Sequence, residues 1–136
     1  MTFAEKMKGL AKDAHKHLVL AEGLEPRTVR AARMIADQGI AASVTLVGKT
    51  EDVKANAAKL GVDLSGIEIS DPETSEKKAE FAKEYYELRK HKGMTEEQAR
   101  KTLTDASYFG TMLVVLGKAD GLVSGSINST ANTVRP

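Results

Sequence analysis

The chain has 136 residues, with 20 Lys and Arg against 19 Asp and Glu, which gives a formal net charge of +1. This balance argues against nucleic-acid binding through a basic face, and we expect no nucleic-acid partner. With 41% hydrophobic and 29% charged residues, the composition is that of one folded domain and not of a disordered segment. The absence of cysteine excludes disulfides, thiolate metal sites and a cysteine nucleophile within the chain.

Metal binding and membrane insertion are not expected either. The three histidines form no His-x-x-x-His pair, so we expect no metal site. The longest uncharged apolar stretch, residues 106–117, is shorter than the roughly 18 residues that a membrane span needs. The N-terminal segment lacks the apolar region of a secretory signal, so we expect a cytoplasmic location.

The residue pattern of the first half of the sequence predicts an alternation of helices and strands. The predicted helices cover residues 2–15, 26–38 and 50–61, and the predicted strands cover residues 17–21, 43–47 and 67–69. Thr2 and Thr50 are the expected N-caps of the first and third helices. Pro26 suits the first position of the second helix, and Gly39 suits its end.

The second half predicts more helix and one further strand. Helices are expected over residues 75–91, from the capping box Thr95–Gln98 onward, and over residues 105–116, where apolar side chains on opposite sides indicate burial on several faces. A strand over 121–125 and a helix start at Ser129 follow. Strands separated by helices predict a three-layer α/β/α fold with a mostly parallel sheet, and the ending just after a helix start suggests an incomplete fragment.

A polar stretch near the end of the chain is the first candidate site. No charged residue lies between Gly121 and Val134, and hydroxyl and amide side chains are frequent there. A strand, a loop and a helix start predict an anion site, because free backbone N–H groups and the helix dipole favour negative charge. Ligands of open α/β sheets bind at this edge, and Arg135 is a candidate phosphate clamp. The alternative is a polar turn with an ordinary N-cap.

Arg89 and two glutamates are further candidates. Arg89 is predicted beside the apolar stripe of its helix, where an arginine pairs with a carboxylate or with a ligand phosphate. Its alternative role is to balance the negative end of the helix dipole. Glu22 and Glu25 lie in a strand-to-helix loop at the same predicted edge and are candidate general bases, with a solvated loop as the alternative.

Several blocks of the sequence closely resemble phosphate acetyltransferases. Two segments of this chain resemble the family signature, ADGLVSGS at residues 119–126 and STANTVRP at residues 129–136. YELRKHKG at residues 86–93 matches a second block, and AEG at residues 21–23 with Arg27 matches the N-terminal block. The resemblance implies reversible transfer of an acetyl group between acetyl-CoA and inorganic phosphate, giving acetyl phosphate and CoA. It implies no cofactor besides these small-molecule substrates.

The resemblance also implies an architecture. Family members are similar to the isocitrate and isopropylmalate dehydrogenases, with two α/β domains, an active site in the cleft between them, and usually a homodimer. Residues 1–136 would then be the N-terminal portion of a longer enzyme, without its second domain and without the C-terminal segment that returns to the first domain. We expect this chain alone to be inactive.

The resemblance assigns roles to individual residues. Arg89 and Arg135 match family arginines implicated in CoA and phosphate binding, and Ser126, Ser129 and Thr130 fall in the loop that meets the phosphate. The family's catalytic Asp, proposed to deprotonate the CoA thiol, is expected beyond residue 136, so no catalytic residue is expected in this chain. The arginines would stabilise phosphate charge and orient the reactants.

Two positions depart from the family, and two other functions stay open. Asn128 and Asn132 stand where the family often has His and Asp, so we expect neither to transfer protons. One alternative function is a non-catalytic regulatory domain that senses acetyl-CoA, as appended to some malic enzymes. The other is a phosphate butyryltransferase, although the signature fits the acetyl branch better.

Overall fold

A sheet of four parallel strands lies at the centre of the chain, and the computed structural model describes all residues from Met1 to Pro136. The strands are β1 (His17–Leu20), β2 (Ser43–Val47), β3 (Glu68–Ser70) and β4 (Gly121–Val123). The helices are α1 (Phe3–Ala14), α2 (Pro26–Gln38), α3 (Thr50–Leu60), α4 (Lys78–Arg89), α5 (Glu96–Thr102), α6 (Ala106–Val115) and α7 (Thr130–Val134). The alternation predicted from the sequence is confirmed, although β4 ends two residues earlier than expected.

The strand order is β3-β2-β1-β4, and every neighbouring pair is parallel. The chain winds outward from β1 through β2 to β3, then crosses back and adds β4 on the other side of β1. The direction of winding therefore reverses between β1 and β4. In open α/β sheets this reversal opens a crevice outside the carboxyl ends of the strands, which is where ligands bind.

Helices cover both faces of the sheet and enclose two separate hydrophobic cores. Leu20 of β1 faces the core under α2 and α3, which includes Val29 and Val53. Val19, the preceding residue, faces the core under α4, α5 and α6, which includes Phe81 and Phe109. Successive side chains of a strand point to opposite faces, so the short apolar strands supply both cores. The predicted three-layer α/β/α fold is confirmed.

Helix α6 packs closely against the sheet. A Cβ atom at Gly110 would lie 2.7 Å from the end of the Leu122 side chain and 3.3 Å from Val19, so a larger residue there would have to displace Leu122. On the outer side, the ring of Phe109 meets that of Phe81 on α4 with centroids 5.0 Å apart. The burial of α6 on several faces, predicted from its apolar composition, is confirmed. The tight fit fixes the start of α6 at the carboxyl edge of the sheet.

The helix caps agree with the sequence prediction except at α3. The capping boxes at Thr2 and at Thr95 with Gln98 are both formed. The expectation that Thr50 caps α3 is wrong, because Thr50 is the first helical residue and the N-cap position is Lys49, which makes no side-chain cap hydrogen bond. The free N–H of Thr50 instead donates to the Asp71 carboxylate at 3.0 Å. An acceptor that is distant in sequence replaces the local cap.

Helix α1 stands apart from both cores. None of its residues is buried, and the side chains of Phe3 and Leu10 are 77% and 56% exposed. Its capping box and its i, i+4 spacing of apolar residues are those of a stable amphipathic helix.

No helix of the chain combines the length and the apolar character needed to cross a membrane.

Candidate functional site

The crevice between β1 and β4 brings together the two loops that the sequence analysis singled out. The loop after β1 begins at Glu22, and the β4–α7 loop comprises residues 124–129. A cavity of about 160 Å³ lies between these loops, the end of β2 and the first turn of α6. The polar stretch and the conspicuous glutamates therefore form one site, at the edge where ligands bind in this architecture.

The Glu22 carboxylate holds the β4–α7 loop. Its Oε1 accepts hydrogen bonds from the backbone N–H of Gly125 and of Ser126, both at 2.8 Å, and from the Ser126 hydroxyl at 2.9 Å. Its Oε2 accepts from the N–H of Ile127 at 2.7 Å and of Asn128 at 2.9 Å. The side chain is only 5% exposed. Four consecutive amides thus converge on one buried carboxylate.

The environment keeps Glu22 ionised. Burial alone raises the pKa of its carboxyl group, but the hydrogen bonds from Ile127, Ser126 and Asn128 outweigh burial and lower the pKa to about 2. A carboxylate with so low a pKa is a poor proton acceptor, so the interpretation of Glu22 as a general base is not supported. The expectation that the loop amides are free is wrong for residues 125–128, because an internal anion occupies them.

Glu25 is also buried and has a structural role. It is the N-cap of α2, where its Oε2 accepts from the N–H of Thr28 at 3.0 Å. Its Oε1 forms an ion pair with Arg27 at 2.8 Å. The hydrogen bond from Arg27 and the helix amides lower the pKa of Glu25, which also argues against a general base. The alternative of a solvated loop and helix N-terminus is correct in that Glu25 caps α2, but neither glutamate is solvated, since each is less than a tenth exposed.

Three further hydrogen bonds attach the β4–α7 loop to neighbouring helices. Arg27 donates through Nη2 to the carbonyl oxygen of Ser126 at 3.0 Å, and the hydroxyls of Thr28 and Ser126 lie 3.2 Å apart. On the other side, Asn128 donates through Nδ2 to the Ser107 hydroxyl of α6 at 3.1 Å. The position of Asn128 is therefore that of a link between the loop and α6.

The hydroxyl residues predicted to meet phosphate lie on the exposed side of this loop. The Ser126 hydroxyl is engaged with Glu22 and Thr28. Ser129 is the N-cap of α7, where its hydroxyl accepts from the N–H of Asn132 at 3.2 Å. Thr130 is the first residue of α7, and its side chain is exposed. Ser129 and Thr130 thus extend the loop toward solvent.

Both predicted arginines are exposed and pair with no carboxylate of the chain. Arg135 directly follows α7. Arg89 ends α4, one turn after Tyr85, whose ring meets that of Tyr108 at a centroid distance of 6.1 Å. Tyr108 is the neighbour of Ser107, which binds the β4–α7 loop. The C-terminal end of α4 therefore reaches the same edge as the loop.

Sequence reasoning did not foresee that Glu22 binds the β4–α7 loop. The available signal was an acidic residue directly after a buried strand, at the same predicted edge as a loop rich in unpaired amides. A second missed feature is Gly23, where a Cβ atom would lie 2.7 Å from the Val47 carbonyl oxygen. Glycine at this position lets the loop after β1 approach the end of β2 closely, where the Gly23 N–H donates to the Val47 carbonyl at 3.1 Å.

The reversed winding and the loop at the crevice define a doubly wound α/β domain with its ligand edge at the β1–β4 junction. Comparison with known proteins extends this classification. Residues 2–136 match the family described as phosphate acetyl/butaryl transferase, and the chain belongs to that family. The resemblance noted in the sequence is confirmed.

The chain is similar to curated enzymes along its whole length. It is 46% identical over 136 residues to the phosphate acetyltransferase of Acetivibrio thermocellus, covering 100% of this chain and 40% of the relative. It is 46% identical over 135 residues to the phosphate acetyltransferase of Salmonella typhimurium, covering 98% of this chain and 18% of the relative. The chain therefore spans well under half the length of either relative.

Solved structures show the same fold. The EutD phosphotransacetylase from Staphylococcus aureus superposes with a TM-score of 0.87 at 42% identity, over 97% of this chain and 41% of that one. A phosphotransacetylase from Streptococcus pyogenes superposes with a TM-score of 0.88 at 36% identity, over 100% of this chain and 42% of that one. The α/β architecture described above is thus the architecture of part of these proteins.

Proposed function

We propose that this chain is the N-terminal portion of a phosphate acetyltransferase, which transfers an acetyl group between acetyl-CoA and inorganic phosphate to give acetyl phosphate and CoA. The observation that carries the proposal is the match of residues 2–136 to the family, together with the similarity to proteins named phosphate acetyltransferase. The reaction needs only these two substrates and no cofactor. We further propose a second domain beyond residue 136, a homodimer, and a cytoplasmic location for the complete enzyme.

Arg89 and Arg135 bind the phosphate groups of the substrates in this proposal. Two features of the structure support it. Both residues are exposed, Arg89 at the end of α4 and Arg135 directly after α7, and neither pairs with a carboxylate of the chain. A guanidinium group presents paired N–H donors that match two phosphate oxygens, so a free arginine at this edge suits an anionic substrate.

The hydroxyls of Ser126, Ser129 and Thr130 orient the phosphate. Ser129 supports this role well, because its oxygen accepts from Asn132 while its own proton is available to a substrate oxygen. The Thr130 hydroxyl makes no side-chain hydrogen bond within the chain. The Ser126 hydroxyl donates to Glu22 and lies beside the Thr28 hydroxyl, so its proton must leave Glu22 before it can donate to phosphate.

In the proposed reaction, this chain binds the phosphate, and the rest of the enzyme supplies the base. In the direction of acetyl-CoA synthesis, the CoA thiolate attacks the acetyl carbonyl carbon of acetyl phosphate, the new C–S bond forms, and the C–O bond to phosphate breaks. A base beyond residue 136 takes the thiol proton, since the thiolate is the nucleophile. The residues of this chain hold the phosphate and stabilise the charge that it gains as it leaves.

An assay of thiol consumption tests the proposal. The full-length protein is given acetyl phosphate and CoA, and the loss of free thiol is followed. We expect turnover, and about a hundredfold loss of kcat/KM in Arg135→Ala, because a charged donor to the departing phosphate is removed. Arg30→Ala is the matched control, since Arg30 is an exposed arginine on α2 without a carboxylate partner.

Three results would change the proposal. A folded protein that binds acetyl-CoA without turnover would favour a regulatory domain. Faster turnover of butyryl phosphate than of acetyl phosphate would move the protein to the butyryl branch. Equal activity of Arg135→Ala and Arg30→Ala would remove Arg135 from the site. The 136-residue chain alone is expected to show no turnover, because the base is absent from it.

A further inference from the structure

We propose that Glu22 is a positioning residue for acetyl transfer, a role that rests on the proposed function. Its carboxylate fixes the backbone of the β4–α7 loop so that Thr130 and Arg135 meet the substrate phosphate. Glu22 itself does not contact the substrate in this proposal. It acts through the loop, and it takes the place in the loop that an external anion would otherwise occupy.

The first argument is the rigidity of the element that carries Glu22. Ala21, the preceding residue, donates its N–H to the Val123 carbonyl of β4 at 3.2 Å. Gly23, the following residue, donates its N–H to the Val47 carbonyl of β2 at 3.1 Å. Glu22 is therefore held between two strands at the centre of the sheet. A side chain on so constrained a backbone transmits its position directly to whatever it binds.

The second argument is the curvature of the loop. Four consecutive amides, those of residues 125–128, point at the two oxygens of one carboxylate. Consecutive N–H groups converge only where the backbone turns sharply, and Gly125 permits the turn with a φ of 109°, which L side chains rarely adopt. The loop conformation and the carboxylate thus require each other, and α7 begins directly where the loop ends.

The third argument concerns charge. A concave group of amides attracts one anion, and in this site the anion is already Glu22. A substrate phosphate placed at the same amides would be repelled by the carboxylate at short range. Phosphate binding then falls to groups beyond the amides, which are the exposed hydroxyls and arginines. Glu22 therefore decides both the shape of the loop and which of its groups remain available for substrate.

Hydrogen exchange of this chain tests the positioning directly. In Glu22→Gln, the new NH₂ group faces amides that need an acceptor, so we expect exchange at residues 125–128 to accelerate at least about tenfold. Asp71→Asn is the matched control, because Asp71 is another buried carboxylate at the same edge that accepts from the N–H groups of Thr50 and Glu73 and from none in the β4–α7 loop. It should accelerate exchange at those two residues and leave 125–128 unchanged.

Kinetics of the full-length protein test the consequence. For acetyl phosphate synthesis by Glu22→Gln, we expect KM for inorganic phosphate to rise about tenfold and KM for acetyl-CoA to change less than about twofold. Asp71→Asn should change neither constant. Arg27→Ala is a second variant with an exposed side chain; it removes one contact to the loop, that to the Ser126 carbonyl, together with the ion pair to Glu25, and a smaller rise of the phosphate KM is expected.

The outcomes separate this proposal from the proposed function. Unchanged exchange at residues 125–128 in Glu22→Gln, or faster exchange with an unchanged phosphate KM, would overturn the positioning role. A wild-type protein without turnover whose loop still responds to Glu22→Gln would overturn the proposed function and, with it, the catalytic purpose of the contact. Faster loop exchange combined with a selective rise in the phosphate KM supports the proposal.

Discussion

Glu22 and Asp71 are two buried carboxylates in equivalent positions of the fold, but they connect different segments of the chain. Each lies just beyond the carboxyl end of a parallel strand, β1 for Glu22 and β3 for Asp71. They are 5% and 6% exposed, and each accepts hydrogen bonds from backbone amides. In both cases burial raises the pKa and the amide hydrogen bonds outweigh it, so both groups remain ionised.

The two carboxylates differ in what they connect. Asp71 accepts from Glu73 in its own turn and from Thr50, 21 residues earlier, so it closes a turn and replaces the missing cap of α3. Glu22 accepts from amides 103 to 106 residues away and joins the first strand to the last loop. The same kind of contact, backbone N–H groups donating to a buried carboxylate, therefore closes a local turn at Asp71 and completes the candidate site at Glu22.

The largest expected effect is that of removing the Glu22 carboxylate. Glu22→Ala leaves four backbone donors and one hydroxyl without their acceptor, and we expect the free energy of unfolding of this chain to fall by about 4 kcal/mol. Urea denaturation followed by far-UV circular dichroism measures this change. A loss no larger than that of Asp71→Ala would contradict the distinction between the two carboxylates.

Acid should affect the Glu22 contact next most strongly. The pKa of Glu22 is about 2 in the folded chain and 4.5 in its ordinary state, so its contribution is fully present above pH 4.5 and is lost as the pH falls toward 2. The difference corresponds to about 3 kcal/mol. Urea unfolding at several pH values should show a steeper loss in wild type than in Glu22→Gln. Parallel curves for the two proteins would show that the Glu22 pKa is not lowered.

Removing the Asp71 carboxylate should cost less. Asp71→Ala leaves the N–H groups of Thr50 and Glu73 without acceptors, and we expect the free energy of unfolding to fall by about 2 kcal/mol. The damage should stay at the start of α3 and in the following turn, which hydrogen exchange of those amides reports. Faster exchange in the β4–α7 loop of this variant would mean that the two carboxylates are coupled.

The smallest expected effect is that of Arg27. Its side chain is 71% exposed, so its ion pair with Glu25 is screened by solvent, and Arg27→Ala should lower the free energy of unfolding by less than Asp71→Ala does. The same urea measurement, repeated in 0.5 M salt, should show a smaller difference from wild type. A loss comparable to that of Asp71→Ala would mean that the Arg27 contact to the Ser126 carbonyl holds the loop as firmly as a buried carboxylate.

The sequence predicted what depends on neighbouring residues. The capping boxes at Thr2 and Thr95, the burial of α6 and the alternation of strands and helices all follow from patterns within a few turns. The placement of the β4–α7 loop at the ligand edge followed from the rule for open α/β sheets, and the binding roles of Arg89 and Arg135 followed from the resemblance to the family. Local patterns and family blocks together were enough for the architecture and for the list of candidate residues.

The errors concern contacts between distant segments. Thr50 looked like a cap because Glu51 and Asp52 follow it, whereas its amide is satisfied by a carboxylate from the next strand end. Glu22 looked like a solvated residue or a base because nothing in its neighbourhood shows that β4 lies beside β1. The strand order decides that, and strand order is set by the packing of whole crossovers and not by a local pattern.

The placement of β4 has a consequence for how the chain folds. Strands β1, β2 and β3 are linked by single helices, whereas β4 pairs with β1 only after an excursion of 103 residues, as from Leu18 to Gly121. Contacts that close long loops cost more entropy and form late. We expect a β1–β2–β3 nucleus to assemble first and the last strand to dock onto it. The candidate site between β1 and β4 would then be completed only in the final step of folding.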